Sequence, residues 1–152
     1  MNFRLTKRTM LAIEAVLDVA YYAGSQPVQA KEITQRQKIP MRYLEHVMQI
    51  LVHKNILRGV RGPKGGYVLA KERRKISLAD IIIILEQSMP SDDEDDGTVH
   101  SELGQMVISP VWNDLSSKII DMLSEITLED LCRRGEHLGV GGKNIETSDY
   151  II

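Results

Sequence analysis

The chain has a single cysteine, Cys132, in 152 residues. One thiol excludes an intramolecular disulfide and leaves no CxxC pair for a metal. Long apolar runs are missing too: none approaches the roughly 20 residues that span a bilayer, and the amino terminus lacks the charged, apolar, small-residue order of a signal peptide. A cytoplasmic protein is the expectation. Catalytic signatures are equally scarce. There is no GxSxG, GxxxxGK[ST] or HExxH, and the four histidines are scattered, so an enzyme is not expected.

Charge is plentiful and unevenly placed. The net charge of -2 hides 15 Lys/Arg against 6 Asp/Glu in residues 1–80, hence +9, and 4 against 15 in residues 81–152, hence -11. A basic first half suits a polyanion, which an acidic second half would repel. The length suits one domain with a hydrophobic core, or a small domain with a dimerisation extension.

The basic half centres on Ile56 to Ala70, where Leu57–Val60 and Tyr67–Ala70 flank Gly62, Pro63, Gly65 and Gly66. β-Formers on either side of turn residues predict a two-stranded ribbon with a glycine-rich tip. Arg58, Arg61 and Lys64 would project from it with little bulk around the backbone, as contact with a phosphate chain or narrow groove requires. Taken alone, the hairpin also suits an exposed loop whose charges keep it soluble.

The preceding segments decide between these. A first helix is expected from Thr6 to about Tyr22, with Met10, Ile13, Leu17 and Ala20 as an apolar stripe and Gly24 as its stop. Lys7 and Arg8 sit in its first turn, where the helix dipole disfavours cations, so they serve an external anion or are merely solvated. Ala30–Gln37 reads as a short helix broken at Lys38-Ile39-Pro40, because proline disfavours helical geometry in the residue before it. Met41 to about Lys54 follows as a helix with Leu44, Val47, Met48 and Leu51 on its apolar face.

Two helices joined by so short a turn form a helix-turn-helix. The second would present Arg42, Tyr43, Glu45, His46 and Gln49, residue types able to read base edges or bind phosphate. Three helices followed by a basic hairpin give the order of a winged helix-turn-helix.

Beyond Lys71–Lys75, Ser77 and Asp80 have capping-box spacing, and Ile81–Leu85 is apolar all round, as for a helix buried between two halves. Asp92–Asp96 is a run of five acids, expected to form a solvated loop; a divalent-metal site with His100 and Glu102 is the alternative. Pro110 fits the first turn of a long helix to Ile126. Its stripe of Val111, Leu115, Ile119, Met122, Leu123 and Ile126 suits a dimer helix, or packing within one protomer. Thr127 and Asp130 repeat the capping-box spacing before Leu128–Arg134, and a polar, glycine-rich tail ends in Asp149-Tyr150-Ile151-Ile152.

The fold expected is mainly α with a small β wing: a winged helix-turn-helix domain over residues 1–76, a linker helix, acidic loop and dimerisation helices over 77–134, and a tail over 135–152. Several segments resemble the IscR/NsrR/CymR family of dimeric winged-helix transcription regulators. They are Arg4-Leu5-Thr6-Lys7, Leu17-Asp18-Val19-Ala20, Tyr43-Leu44-Glu45, Val60 to Tyr67, Ile76 to Glu86, Trp112-Asn113-Asp114-Leu115 and Ile126-Thr127-Leu128. The likeness covers about residues 3 to 134.

The resemblance implies a homodimeric repressor on a pseudo-palindromic operator of double-stranded DNA. Arg42 and Glu45 would lie at base edges, Arg61 in the minor groove, and Tyr43 and Lys64 near the backbone. Cluster-binding members carry three cysteines before the dimer helix. Aligned through Trp112, those positions fall near Glu94, His100 and Met106, a set without the thiolates a [2Fe–2S] cluster needs, so no cofactor is expected.

Cluster-free members include a repressor of cysteine metabolism that forms a complex with cysteine synthase. Tyr150, Ile151 and Ile152 resemble the isoleucine-ended tails that enter that enzyme's active site, which implies the same partner here. Two other functions remain open: a regulator acting mainly through that tail, and a metal or redox sensor using the acidic loop or Cys132.

Overall fold

A computed structural model describes residues 6–89 and 99–142. Arg4-Leu5, the acidic run Asp92–Asp96 and Tyr150–Ile152 lie outside the described residues.

The Thr6 hydroxyl accepts the Thr9 amide at 3.1 Å and starts α1, Lys7–Tyr22. The buried face of α1 is not the expected stripe. Ala12, Ala15, Val16, Val19, Ala20 and Tyr21 are buried, while Met10 is 41% exposed and Ile13 and Leu17 are half-buried. The helices Ala30–Gln37, Met41–His53, Leu78–Ser88 and Leu128–His137 and the strand Gly66–Leu69 all pack on α1, so burial there exceeds one stripe. The three alanines let those neighbours come close.

Helix α2 spans Ala30–Gln37 and α3 spans Met41–His53, both as the sequence reading placed them to within a residue. Lys38 ends α2 in the left-handed region at φ 52, Ile39 is buried as a plug, and Pro40 starts α3. Asn55, at φ 63, closes α3 as the Ile56 amide bonds the Leu51 carbonyl at 2.9 Å.

Strands β1, Leu57–Val60, and β2, Gly66–Leu69, pair antiparallel with Leu57 opposite Leu69 and Val60 opposite Gly66. Val28 adds a bridge that the sequence reading lacked, exchanging both backbone hydrogen bonds with Tyr67 at 3.0 and 2.8 Å. This anchors the wing to the segment entering α2.

Ser77 caps α4, Leu78–Ser88, and Thr127 caps α6, Leu128–His137, each in a reciprocal box with the acid three residues on. The two starts lie side by side: the Leu78 amide bonds the Ile126 carbonyl and the Leu128 amide the Ile76 carbonyl, both at 2.9 Å. Leu128 and Cys132 of α6 thereby join the same core as α1 to α4. The turn Val140–Gly142 folds back on α1, where the Tyr21 hydroxyl donates to the Val140 carbonyl at 2.6 Å.

Pro110 falls in the first turn of α5, Ser109–Ser124, as expected, but the helical path begins earlier. A wide turn over Gly104–Ile108 leads directly into α5, with the Ser109 amide bonding the Gly104 carbonyl five residues back. A proline ring clashes with the carbonyl four residues before it in a regular helix, and this wider spacing relieves the clash. Ser116 is the one buried residue of α5.

Candidate nucleic-acid interface

Helix α3 turns Leu44, Val47, Met48 and Leu51 into the core, so the residues between them must face outward. Arg42, Glu45, His46 and Gln49 are all exposed, at spacings of three and four that align them along one face. All four lie away from the apolar face, as the period of Leu44, Val47, Met48 and Leu51 predicts. Tyr43 differs: it is half-buried, and its hydroxyl donates to the Arg8 carbonyl at 2.6 Å. Burial raises its pKa, with the Arg8 charge opposing, and keeps the phenol protonated.

Lys7 and Arg8 are exposed in the first turn of α1, and the Tyr43 bond brings that turn against the start of α3.

The wing completes this surface. Leu57 is buried, so alternation along β1 sends Arg58 to the opposite face of the ribbon, where it is exposed. Arg61 and Lys64 are exposed at the tip. Each tip glycine has its own reason. Gly62 has φ +116, and a Cβ on Gly65 would meet the Val60 carbonyl oxygen at 2.3 Å. A Cβ on Gly66 would lie 2.3 Å from the Val28 carbonyl oxygen, which the bridge brings alongside.

Tyr67, at the wing's root, was not singled out in the sequence. It is half-buried and bridged to Val28, and its pKa is raised by burial first and by the Glu45 carboxylate second. An aromatic directly after a glycine pair on the returning strand was the available signal.

The positional charge split is only partly a DNA signature. Arg36 forks onto the buried Asp18, and Arg73 onto Glu129 with Glu136 at 4.0 Å. Those cations serve the fold. Among the described residues, no ion pair engages Lys7, Arg42, Arg58, Arg61 or Lys64. These five lie in the first turn of α1, on α3 and on the wing.

Residues 5–134 match the family model described as Rrf2, an iron-dependent transcriptional regulator. The chain belongs to the Rrf2 family. It is 35% identical over 141 residues to the HTH-type transcriptional regulator IscR of Photorhabdus laumondii, covering 92% of this chain and 85% of that protein. The IscR of Sodalis glossinidius is 35% identical over 138 residues, covering 90% and 83%.

Among solved Rrf2-type structures, that of T. potens IscR aligns with a TM-score of 0.73 at 31% identity, covering 93% of this chain and 94% of that one. CymR, the global cysteine regulator of B. subtilis, aligns with a TM-score of 0.69 at 26% identity, covering 87% and 98%. The Rrf2 chain is therefore a winged-helix DNA-binding transcription regulator and not an enzyme. No helix among the described residues is long and apolar enough to cross a membrane.

The family description invokes iron, and the donors of this Rrf2 chain do not fit an iron–sulfur cluster. Its one cysteine, Cys132, is fully buried in α6. Burial raises the thiol's pKa, with the neighbouring Arg73 opposing, so the group is neither exposed nor thiolate-like. Among the described residues no three His, Cys, Asp or Glu side chains group to hold a metal ion.

Proposed function

We propose that this Rrf2 protein is a homodimeric cytoplasmic repressor that reads a pseudo-palindromic operator without an iron–sulfur cluster. The observation that carries the reading is the run of exposed Arg42, Glu45, His46 and Gln49 beside a wing whose cations have no ion pair among the described residues. Helix α3 enters the major groove with Arg42 and Glu45 at base edges, and Arg61 enters the adjacent minor groove. Lys7, Arg8, Arg58 and Lys64 hold phosphates, fixing register without carrying sequence information. On this reading residues 1–76 bind DNA, residues 77–134 join and dimerise, and residues 135–152 are a tail.

Dimerisation is assigned to α5 and the turn before it. Leu103 is 74% exposed, Met106 71%, Met122 67%, and Val111 and Trp112 are more than half exposed. So long an apolar row on one chain calls for a cover, and a second copy on a two-fold axis supplies it while presenting two reading heads.

Selection of sites from random DNA at near-physiological salt tests this. Enrichment of an inverted repeat is the expected outcome. Recovery of sequence-blind, salt-sensitive binding alone would contradict it.

A second reading concerns regulation. The likeness to the cysteine regulator CymR favours control of cysteine and sulfur metabolism, with Tyr150, Ile151 and Ile152 engaging cysteine synthase. Deleting these three residues should abolish binding to that enzyme and spare DNA binding; retained enzyme binding would remove the idea.

A further inference from the structure

The hydroxyl of Tyr43 has one proton, and in this fold it is given to the Arg8 carbonyl at 2.6 Å across 35 residues of sequence. A phenol so engaged cannot also donate to a phosphate oxygen. The acceptor is equally fixed. Arg8 is the second residue of α1, in a first turn held by the Thr6 hydroxyl, which lies 3.1 Å from the Thr9 amide and 3.0 Å from the Thr9 hydroxyl. Tyr43 is the third residue of α3, next to Leu44, whose side chain is buried in the core. The bond thus ties two rigid N-terminal turns to each other.

Each turn carries a different kind of contact. On α1 stand Lys7 and Arg8, and on α3 stand Arg42, Glu45 and His46. A base reader works only when the phosphate contacts and the base contacts fit the duplex together, because the former set the register in which the latter meet base edges.

We infer that the Tyr43 hydroxyl is a positioning group, not a phosphate ligand, which fixes the α1 cations relative to the reading face of α3 and so sets discrimination between operator and other DNA. The inference rests on the reading that α3 enters the major groove. Its loss affects the fit to operator more than the attraction to DNA, since no cation is removed.

The test is Tyr43→Phe, which keeps the ring in its half-buried seat and deletes only the hydroxyl. Operator and random-sequence affinities are measured over a series of salt concentrations, well below the melting temperatures of both proteins. Operator affinity should fall about 3- to 10-fold, the worth of one internal hydrogen bond, while random-sequence affinity and the salt slope stay unchanged.

Arg8→Ala is the contrast, because it keeps the accepting carbonyl and removes a cation. It should weaken both classes of DNA alike and reduce the salt slope by about one. Equal losses on both classes with a lowered slope for Tyr43→Phe would make the hydroxyl a phosphate ligand and overturn the inference. An unchanged operator-to-random ratio would overturn it too. If the unaltered protein itself shows no operator preference, the reading of α3 fails and this inference with it.

Discussion

The carboxylate of Asp18 in α1 accepts Nε and Nη2 of Arg36 in α2, at 3.0 and 2.7 Å, and takes the Gln37 amide as a third donor at 2.7 Å. The Asp18 side chain is wholly buried, while Arg36 keeps 30% of its side chain exposed and lies 4.0 Å over the Tyr22 ring. A planar guanidinium suits both the forked pair and the stack. The clamp holds the end of α2, where the turn into α3 begins.

Asp18→Ala should therefore destabilise the protein by about 3–5 kcal/mol, because it strands a partly buried cation and an amide. Arg36→Lys should recover only part of a full deletion, since an ammonium cannot reproduce the fork. Denaturant melts of the two variants check both outcomes; a neutral Asp18→Ala would refute the clamp.

Two wing glycines offer a paired comparison. Gly66→Ala would push a methyl to 2.3 Å from the Val28 carbonyl oxygen, whereas a Cβ at Gly59 meets nothing within 4 Å. The first should loosen the wing's anchorage, weaken operator binding and lower the melting temperature. The second should leave the melting temperature within a few degrees of the parent, a shift of about 1 kcal/mol or less.

The wing-tip cations should separate by role. Arg61→Ala is expected to cost on the order of 1–3 kcal/mol on operator and relax sequence preference, while Lys64→Ala weakens all DNA and lowers the salt slope by about one. Binding titrations on operator and scrambled duplexes measure this. Equal losses on every sequence for Arg61→Ala would contradict its assignment to the minor groove.

Met122 is 67% exposed and Val111 57%, so Met122→Asp and Val111→Asp remove nothing from the core of a single chain. Together they should leave the fold intact and shift the sedimenting species from dimer to monomer. An unchanged dimer would place the interface elsewhere.

Alkaline pH should weaken the fold in two stages. Burial raises the pKa of Cys132 above its ordinary 9.0, and those of Tyr21 and Tyr43 above 10.0. The unfolded chain then loses these protons first, so stability is full below about pH 9 and declines as pH rises through the folded values. Urea midpoints measured from pH 8 to 11 check the sign. The Cys132 thiol should also react with a disulfide reagent at the rate of opening, far slower than a free thiol.

The sequence by itself determined what is local. Thr6, Pro40 and the pairs Ser77–Asp80 and Thr127–Asp130 set helix starts, and Gly62 with Pro63 set the wing's turn, because caps and turns act within three or four residues. The face of α3 followed from the period of its apolar residues. The family likeness rested on these same segments.

Tertiary structure decided what depends on residues far apart in the chain. Asp18 meets Arg36 across 18 residues, Tyr43 meets Arg8 across 35, and Arg73 meets Glu129 across 56. A sequence shows that an arginine is charged but not whether a carboxylate from another helix already holds it. Packing settled that Arg36 and Arg73 pair with carboxylates of other helices, while Arg42, Arg58 and Arg61 have no ion pair among the described residues. The bridge at Val28 arises in the same way, from backbone groups that find partners only once the wing and the segment entering α2 are side by side.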